Sequence, residues 1–150
     1  MTSPGEAGLA YWQEHREQLR QSENQRAVLT NFVLVITAAV SSLVVQQHFA
    51  VRTLPLSVLV VITGVYGALT VAKYHERAEY HLQQARALTA ALTAAGVLAD
   101  YRGALAHSRE EHYRRYPVLH RVRLHRLWTG LHLGIAAYGA ALIIITVVVG

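Results

Sequence analysis

Residues 27–51 read AVLTNFVLVITAAVSSLVVQQHFAV, twenty-five positions between Arg26 and Arg52 with no Asp, Glu, Lys or Arg. A helix rises about 1.5 Å per residue, so roughly twenty such residues cover a hydrocarbon core of about 30 Å. Core segments of soluble domains are rarely this long without a charge. Two further stretches pass the same test: Thr53 to Ala72 is uncharged between Arg52 and Lys73, and Leu127 to Gly150 is uncharged after Arg126. The expected fold is an all-α membrane protein with three transmembrane helices, at 27–51, 53–72 and 127–150. Continuous apolar runs exclude a β-barrel, whose strands alternate.

A 150-residue chain with three spans leaves too little aqueous chain for a catalytic domain with its own core, so the protein is not expected to be an enzyme. No cysteine is present, which removes disulfides, thiolate nucleophiles and Cys-ligated metal centres. The polar first 26 residues do not read as a cleavable signal, so the first span is expected to act as its own insertion signal. The net charge of +5 is distributed as a membrane protein distributes it. Residues 1–26 hold three Arg against four Glu, the first turn holds Arg52 alone, and residues 73–126 hold ten Lys or Arg against five acids. The positive-inside rule places 1–26 and 73–126 in the cytoplasm and the Arg52 turn and Gly150 outside. Nucleic acid is not an expected partner.

Outward from the first span, Ser3-Pro4-Gly5-Glu6 reads as a helix start with Ser3 as N-cap. The N-terminal helix runs without a breaker into the span, mostly polar with a thin apolar seam, and sets Leu9, Trp12, Arg16, Leu19, Glu23 and Arg26 on one face. The Arg52 turn allows only a tight hairpin, with Pro55 in the first turn of the second helix. Gly64 and Ala68 make a small-xxx-small step for close helix packing. Beyond Lys73 the second helix continues with Tyr74, Ala78, His81, Ala85, Leu88 and Leu92 spaced 4, 3, 4, 3, 4, a heptad seam that predicts a cytoplasmic coiled coil. Its mate is the N-terminal helix or another subunit. Gly96 marks a helix end or bend. A second helix over Leu98 to Arg115, with Glu110–Arg114 and Glu111–Arg115 as i,i+4 pairs, completes a cytoplasmic helical hairpin broken at Tyr116-Pro117. The third span repeats Gly130, Gly134, Ala137 and Ala141 at 4, 3, 4, beginning with GxxxG.

In the first span Thr30, Thr37, Ser41 and His48 are spaced 7, 4, 7 with Asn31 beside them, as one polar helical face. Two readings stand: a pore lining, since polar groups in hydrocarbon face water or a partner, or packing positions whose hydroxyls bond the previous turn. Of nine His, only His48 and His132 lie in spans, roughly 20 Å apart in depth at the helical rise, too far to share a haem or metal. No metal site and no cofactor are expected. Arg114, Arg115, Arg121, Arg123 and Arg126 precede the third span without an acid and read as a binder of anionic lipid headgroups. A sharper reading is a site for a nucleotide second messenger, gripped by Arg forks with Tyr101, Tyr113 and Tyr116 stacking on a base. No phosphate loop or nucleophile with a base is present.

A polar N-terminal helix, a tight two-span hairpin and the exit Lys73-Tyr74-His75-Glu76-Arg77-Ala78-Glu79-Tyr80-His81 resemble, over about residues 9–95, the SLATT group of bacterial two-span effectors. The resemblance implies an oligomeric pore-forming or membrane-disrupting effector in anti-phage or nucleotide-signalling defence, silent until an upstream signalling protein or messenger acts. The third span lies outside that group's two-span core. The leading expectation is thus a homo-oligomeric pore or ion channel of the bacterial inner membrane, the compartment the resemblance implies. The competing one is a non-catalytic scaffold or accessory subunit that uses the same seams to bind another membrane protein.

Overall fold

A computed structural model describes residues 4–98 and 101–149. Among them it has no strand and four α-helices: α1 Pro4–Gln46, α2 Leu54–Ala94, α3 Arg102–Arg115 and α4 Leu124–Val149. Three helices, α1, α2 and α4, are long and apolar enough to cross a membrane. The Ser3 cap and Gly150 lie outside the described residues, as do positions 99 and 100 of the helix expected from Leu98. That helix, α3, is assigned from Arg102.

Absence of charge and helicity part company at the end of the first span. The uncharged run reaches Val51, yet α1 stops at Gln46. His48 and Phe49 take left-handed backbone angles, φ 53° and 56°. The His48 amide donates to the Val45 carbonyl at 2.9 Å and the Phe49 amide to the Val44 carbonyl at 3.1 Å, closing the last carbonyls of the helix. The buried Thr53 hydroxyl donates to the Ala50 carbonyl at 2.8 Å. Arg52 donates to the side-chain carbonyl of Gln47. Pro55 then lies in the first turn of α2, as its fixed φ favours. At the other end of α2, Gly96 sits at φ +80°, with its amide bonded to the Thr93 carbonyl and the Val97 amide to the Leu92 carbonyl. Glycine is needed at that position because a Cβ is strained there.

The described chain forms two compact units. One comprises Met1–Ser22 with Glu76–Arg123, the other Glu23–His75 with Leu124–Gly150. In the first, the start of α1 lies antiparallel to the end of α2. Arg77 donates to the Gln18 side chain at 3.1 Å, and the Trp12 indole N–H to Thr89 Oγ1 at 3.0 Å. Ala78, Ala85 and Leu92 are buried and His81 and Leu88 half-buried. The mate available to this seam within the chain is therefore the N-terminal helix. Along α3 every described side chain is exposed, and neither Glu110–Arg114 nor Glu111–Arg115 closes as an ion pair among the described residues. Solvated partners gain little from fixing two long side chains. Arg115 instead lies over the Tyr116 ring, 5.9 Å from its centroid.

In the second unit the C-terminal part of α1, the N-terminal part of α2 and α4 share a core of Val33, Val40, Val60 and Ile135, with Leu29 and Leu56 against it. Glycines decide how α2 meets α4. A Cβ at Gly64 would stand 2.5 Å from the Ala136 amide nitrogen, and one at Gly139 would stand 2.7 Å from the Val61 amide nitrogen. Both obstacles are backbone, which a side-chain rotation cannot move. Gly134 has nothing within 4 Å of such a Cβ. Gly64→Ala should therefore lower stability by about 1–3 kcal/mol through overpacking. Gly134→Ala should be neutral or slightly stabilising, as alanine is the better helix former. Thermal unfolding of the two purified variants in the same detergent checks the contrast.

Candidate functional site

Four residues at matched spacings bring α1 and α4 together: Arg26 and Thr30 on α1, Trp128 and His132 on α4. Each pair is one helical turn apart, so each presents two side chains on one face. His132 is completely buried and Thr30 is 1% exposed. The Thr30 hydroxyl donates to the Arg26 carbonyl at 2.9 Å, which leaves its oxygen to accept. His132 Nε2 lies 3.1 Å from that oxygen and is therefore the donor, so the ring is held as its Nε2–H tautomer. The other ring nitrogen, Nδ1, has no partner. A Cβ at Gly67 would stand 2.2 Å from it, so the absent side chain of Gly67 makes the space for the imidazole.

One turn nearer the helix start, the Arg26 guanidinium lies over the Trp128 ring, 5.4 Å from its centroid. Arg26 is only 7% exposed. Arg26 Nε and the Trp128 indole nitrogen are both buried without an acceptor. His75 of α2 and His125 of α4 stack with ring centroids 3.9 Å apart and planes within 10°. Three hydroxyls of this unit, on Thr37, Ser57 and Thr146, are buried without a partner.

The polar stripe expected along the first span divides. Thr30 faces inward onto His132. Thr37 and Ser41 are half-buried, and the Ser41 hydroxyl donates to the Thr37 carbonyl at 2.6 Å. Asn31 is exposed. His48 is not on that face: the helical spacing no longer applies past Gln46, and His48 lies in the turn. Of the packing positions, Tyr74 is half-buried, whereas Gly130, Gly134 and Ala137 are exposed and both glycines face open space. Arg114, Arg115, Arg121, Arg123 and Arg126 are all exposed.

From the sequence, Arg26 reads as the border of a span and the last residue on one face of the N-terminal helix. The usable signal was the repeated i,i+4 spacing, Arg26 to Thr30 and Trp128 to His132, which pairs a polar with a bulky or charged group on each of two helices. The stack of His75 on His125 carried no comparable signal, because residues fifty apart meet only through the fold.

The first unit has a separate histidine pair. His15 Nδ1 and His81 Nδ1 lie 3.1 Å apart, so one ring donates to the bare nitrogen of the other. Desolvation holds His81 below the ordinary histidine range, the His15 and Arg77 charges push the same way, and Glu14 opposes them. In the same unit an apolar hollow of about 370 Å³ is lined by Leu9, Trp12, Leu92, Leu98, Tyr101 and Leu105. It offers shape without a reactive group.

The fold and site define a helical protein with three potential spans and a buried polar contact between the first and third. No family model, curated protein or solved structure matches the chain.

Two outcomes are expected. Thr30→Val leaves the His132 Nε2–H without an acceptor and should cost about 1–3 kcal/mol in thermal unfolding, much of it recovered in the double variant Thr30→Val with His132→Leu. For His81, a folded-state pKa below the unfolded value means that its contribution is complete above about pH 6.5 and is lost as pH falls through the lower folded value. Amide exchange over residues 10–20 and 76–90 should therefore accelerate on acidification through that window, and less so in His81→Gln.

Proposed function

We propose that this protein is a non-catalytic membrane scaffold that self-associates in the bilayer through the outward small-residue face of α4. The observation that carries the reading is the division of labour among the glycines. Gly64, Gly67 and Gly139 serve contacts inside the chain, whereas Gly130 and Gly134 have open space where a second backbone can approach. Close approach through small residues is what drives helix association where lipid is as apolar as protein. Asn31, exposed in the first span, adds a side chain able to hydrogen-bond across such an interface. The charge distribution supports a cytoplasmic side for residues 1–26 and 73–126, which offers the helical first unit to a cytoplasmic partner.

A pore is the second reading, favoured by the same exposed Asn31. A path between subunits would run along the faces that meet there, and Thr30 is closed within its own bundle. Mass determination in nanodiscs, run beside ion flux from liposomes, separates the readings. An oligomer that Gly130→Leu with Gly134→Leu reduces to monomer, without flux from the native protein, supports the scaffold. Flux that is lost in Asn31→Leu supports the pore. A native monomer overturns both.

A further inference from the structure

We infer that Arg26 and Trp128 form a seat for a phosphate oxyanion at the edge of the membrane, the phosphate of a lipid headgroup or of a soluble phosphate ester. The argument begins with what the two side chains lack. Guanidinium and indole are donors only, with no accepting atom between them. Arg26 is more than nine-tenths buried, and both its Nε–H and the Trp128 indole N–H are buried without an acceptor. No carboxylate pairs with Arg26 among the described residues. Glu23, one turn earlier on α1, is exposed and makes no ion pair with it. A desolvated charge without a counter-charge is strongly unfavourable, and stacking on an aromatic ring offsets only part of that cost. Two adjacent orphan donors, one of them cationic, are complementary to an anionic oxygen.

Depth identifies which anion. Arg26 is the last charge before the uncharged run of the first span, and Trp128 is the second residue of the apolar run that follows Arg126. Both therefore stand where hydrocarbon gives way to headgroups, the level of lipid phosphates. Arg126, exposed in the same unit, adds positive potential at that border. The planar guanidinium can keep its face on the indole while its N–H edge holds phosphate oxygens, an arrangement that an ammonium cannot reproduce.

The test uses the full chain in nanodiscs or detergent and compares phosphatidylglycerol with monogalactosyldiacylglycerol, a lipid of similar tail with a neutral sugar and no phosphate. Native mass spectrometry should show phosphatidylglycerol retained about tenfold more tightly than the glycolipid, the scale of one charge-assisted hydrogen bond. Arg26→Gln should bring the two lipids close to parity, and Arg26→Lys should recover only part of the preference. Trp128→Phe keeps the ring and removes its donor, so it should lower the preference a few-fold while preserving the packing, which keeps the test valid if Arg26→Gln fails to fold. Arg109→Gln, an exposed change in the other unit and outside the basic cluster before the third span, should leave the preference intact. Adding inorganic phosphate to lipid-free protein distinguishes the sources: saturable binding lost in Arg26→Gln assigns the seat to soluble phosphate, and its absence beside phosphatidylglycerol retention assigns it to the headgroup. Equal retention of the two lipids by the native protein with no binding of phosphate, or a lipid preference unchanged in both Arg26→Gln and Trp128→Phe, overturns the inference.

Discussion

The three-helix unit depends on how closely α2 and α4 approach. Where Gly64 faces the backbone of Ala136 and Gly139 faces that of Val61, no side chain of any size fits between the helices. In lipid, helices gain little from simple hydrophobicity, so contact density is what selects one arrangement over another. The glycines supply that density and also create a volume into which an imidazole can be placed. His132 can be fully buried because Gly67 has no side chain to meet it. Its bond to Thr30 then ties α4 to α1, so two pairwise contacts become a three-body arrangement.

Polar groups along this unit fall into two kinds. Some span hydroxyls are self-contained: Ser41, Thr63, Thr70 and Thr129 each donate to the carbonyl four residues earlier. These can face lipid at small cost, since the backbone supplies the acceptor. Arg26, Trp128 and His132 are different, for their unpartnered nitrogens find nothing on their own helix. Unsatisfied groups of this sort are few in native interiors and ask for an explanation. For His132 the explanation is geometric, because one ring nitrogen is spent on Thr30 and the other is pressed onto Gly67.

Much of the fold was legible because membrane spans announce themselves by length and charge. The three apolar runs, the continuity of α1 and α2 beyond them, the hairpin at Arg52 and the turn at Gly96 all rest on local rules. What failed was also local in cause: an uncharged run tells where hydrocarbon is tolerated, and Gln47, His48 and Phe49 are uncharged without being helical. Face assignments along the first span were harder. A 7, 4 spacing puts Thr30, Thr37 and Ser41 on a common side, but spacing alone does not say whether that side meets lipid, water or a neighbouring helix of the same chain. The candidate site was missed because Arg26 and Trp128 are each ordinary border residues alone. Only the pairing of α1 with α4 makes them a unit.

The Thr30–His132 contact has a consequence for how the chain is built. An apolar helix of 26 residues can slide or rotate in a bilayer with little penalty, since one Leu or Val replaces another at the lipid boundary. α4 does not have that freedom. Shifted by one turn, it would set Trp128 or Ala136 opposite Gly67 and carry the imidazole away from the Thr30 hydroxyl. The buried histidine therefore indexes α4 against its neighbours: of the registers an apolar helix could take, this one seats the imidazole between Thr30 and the bare backbone of Gly67.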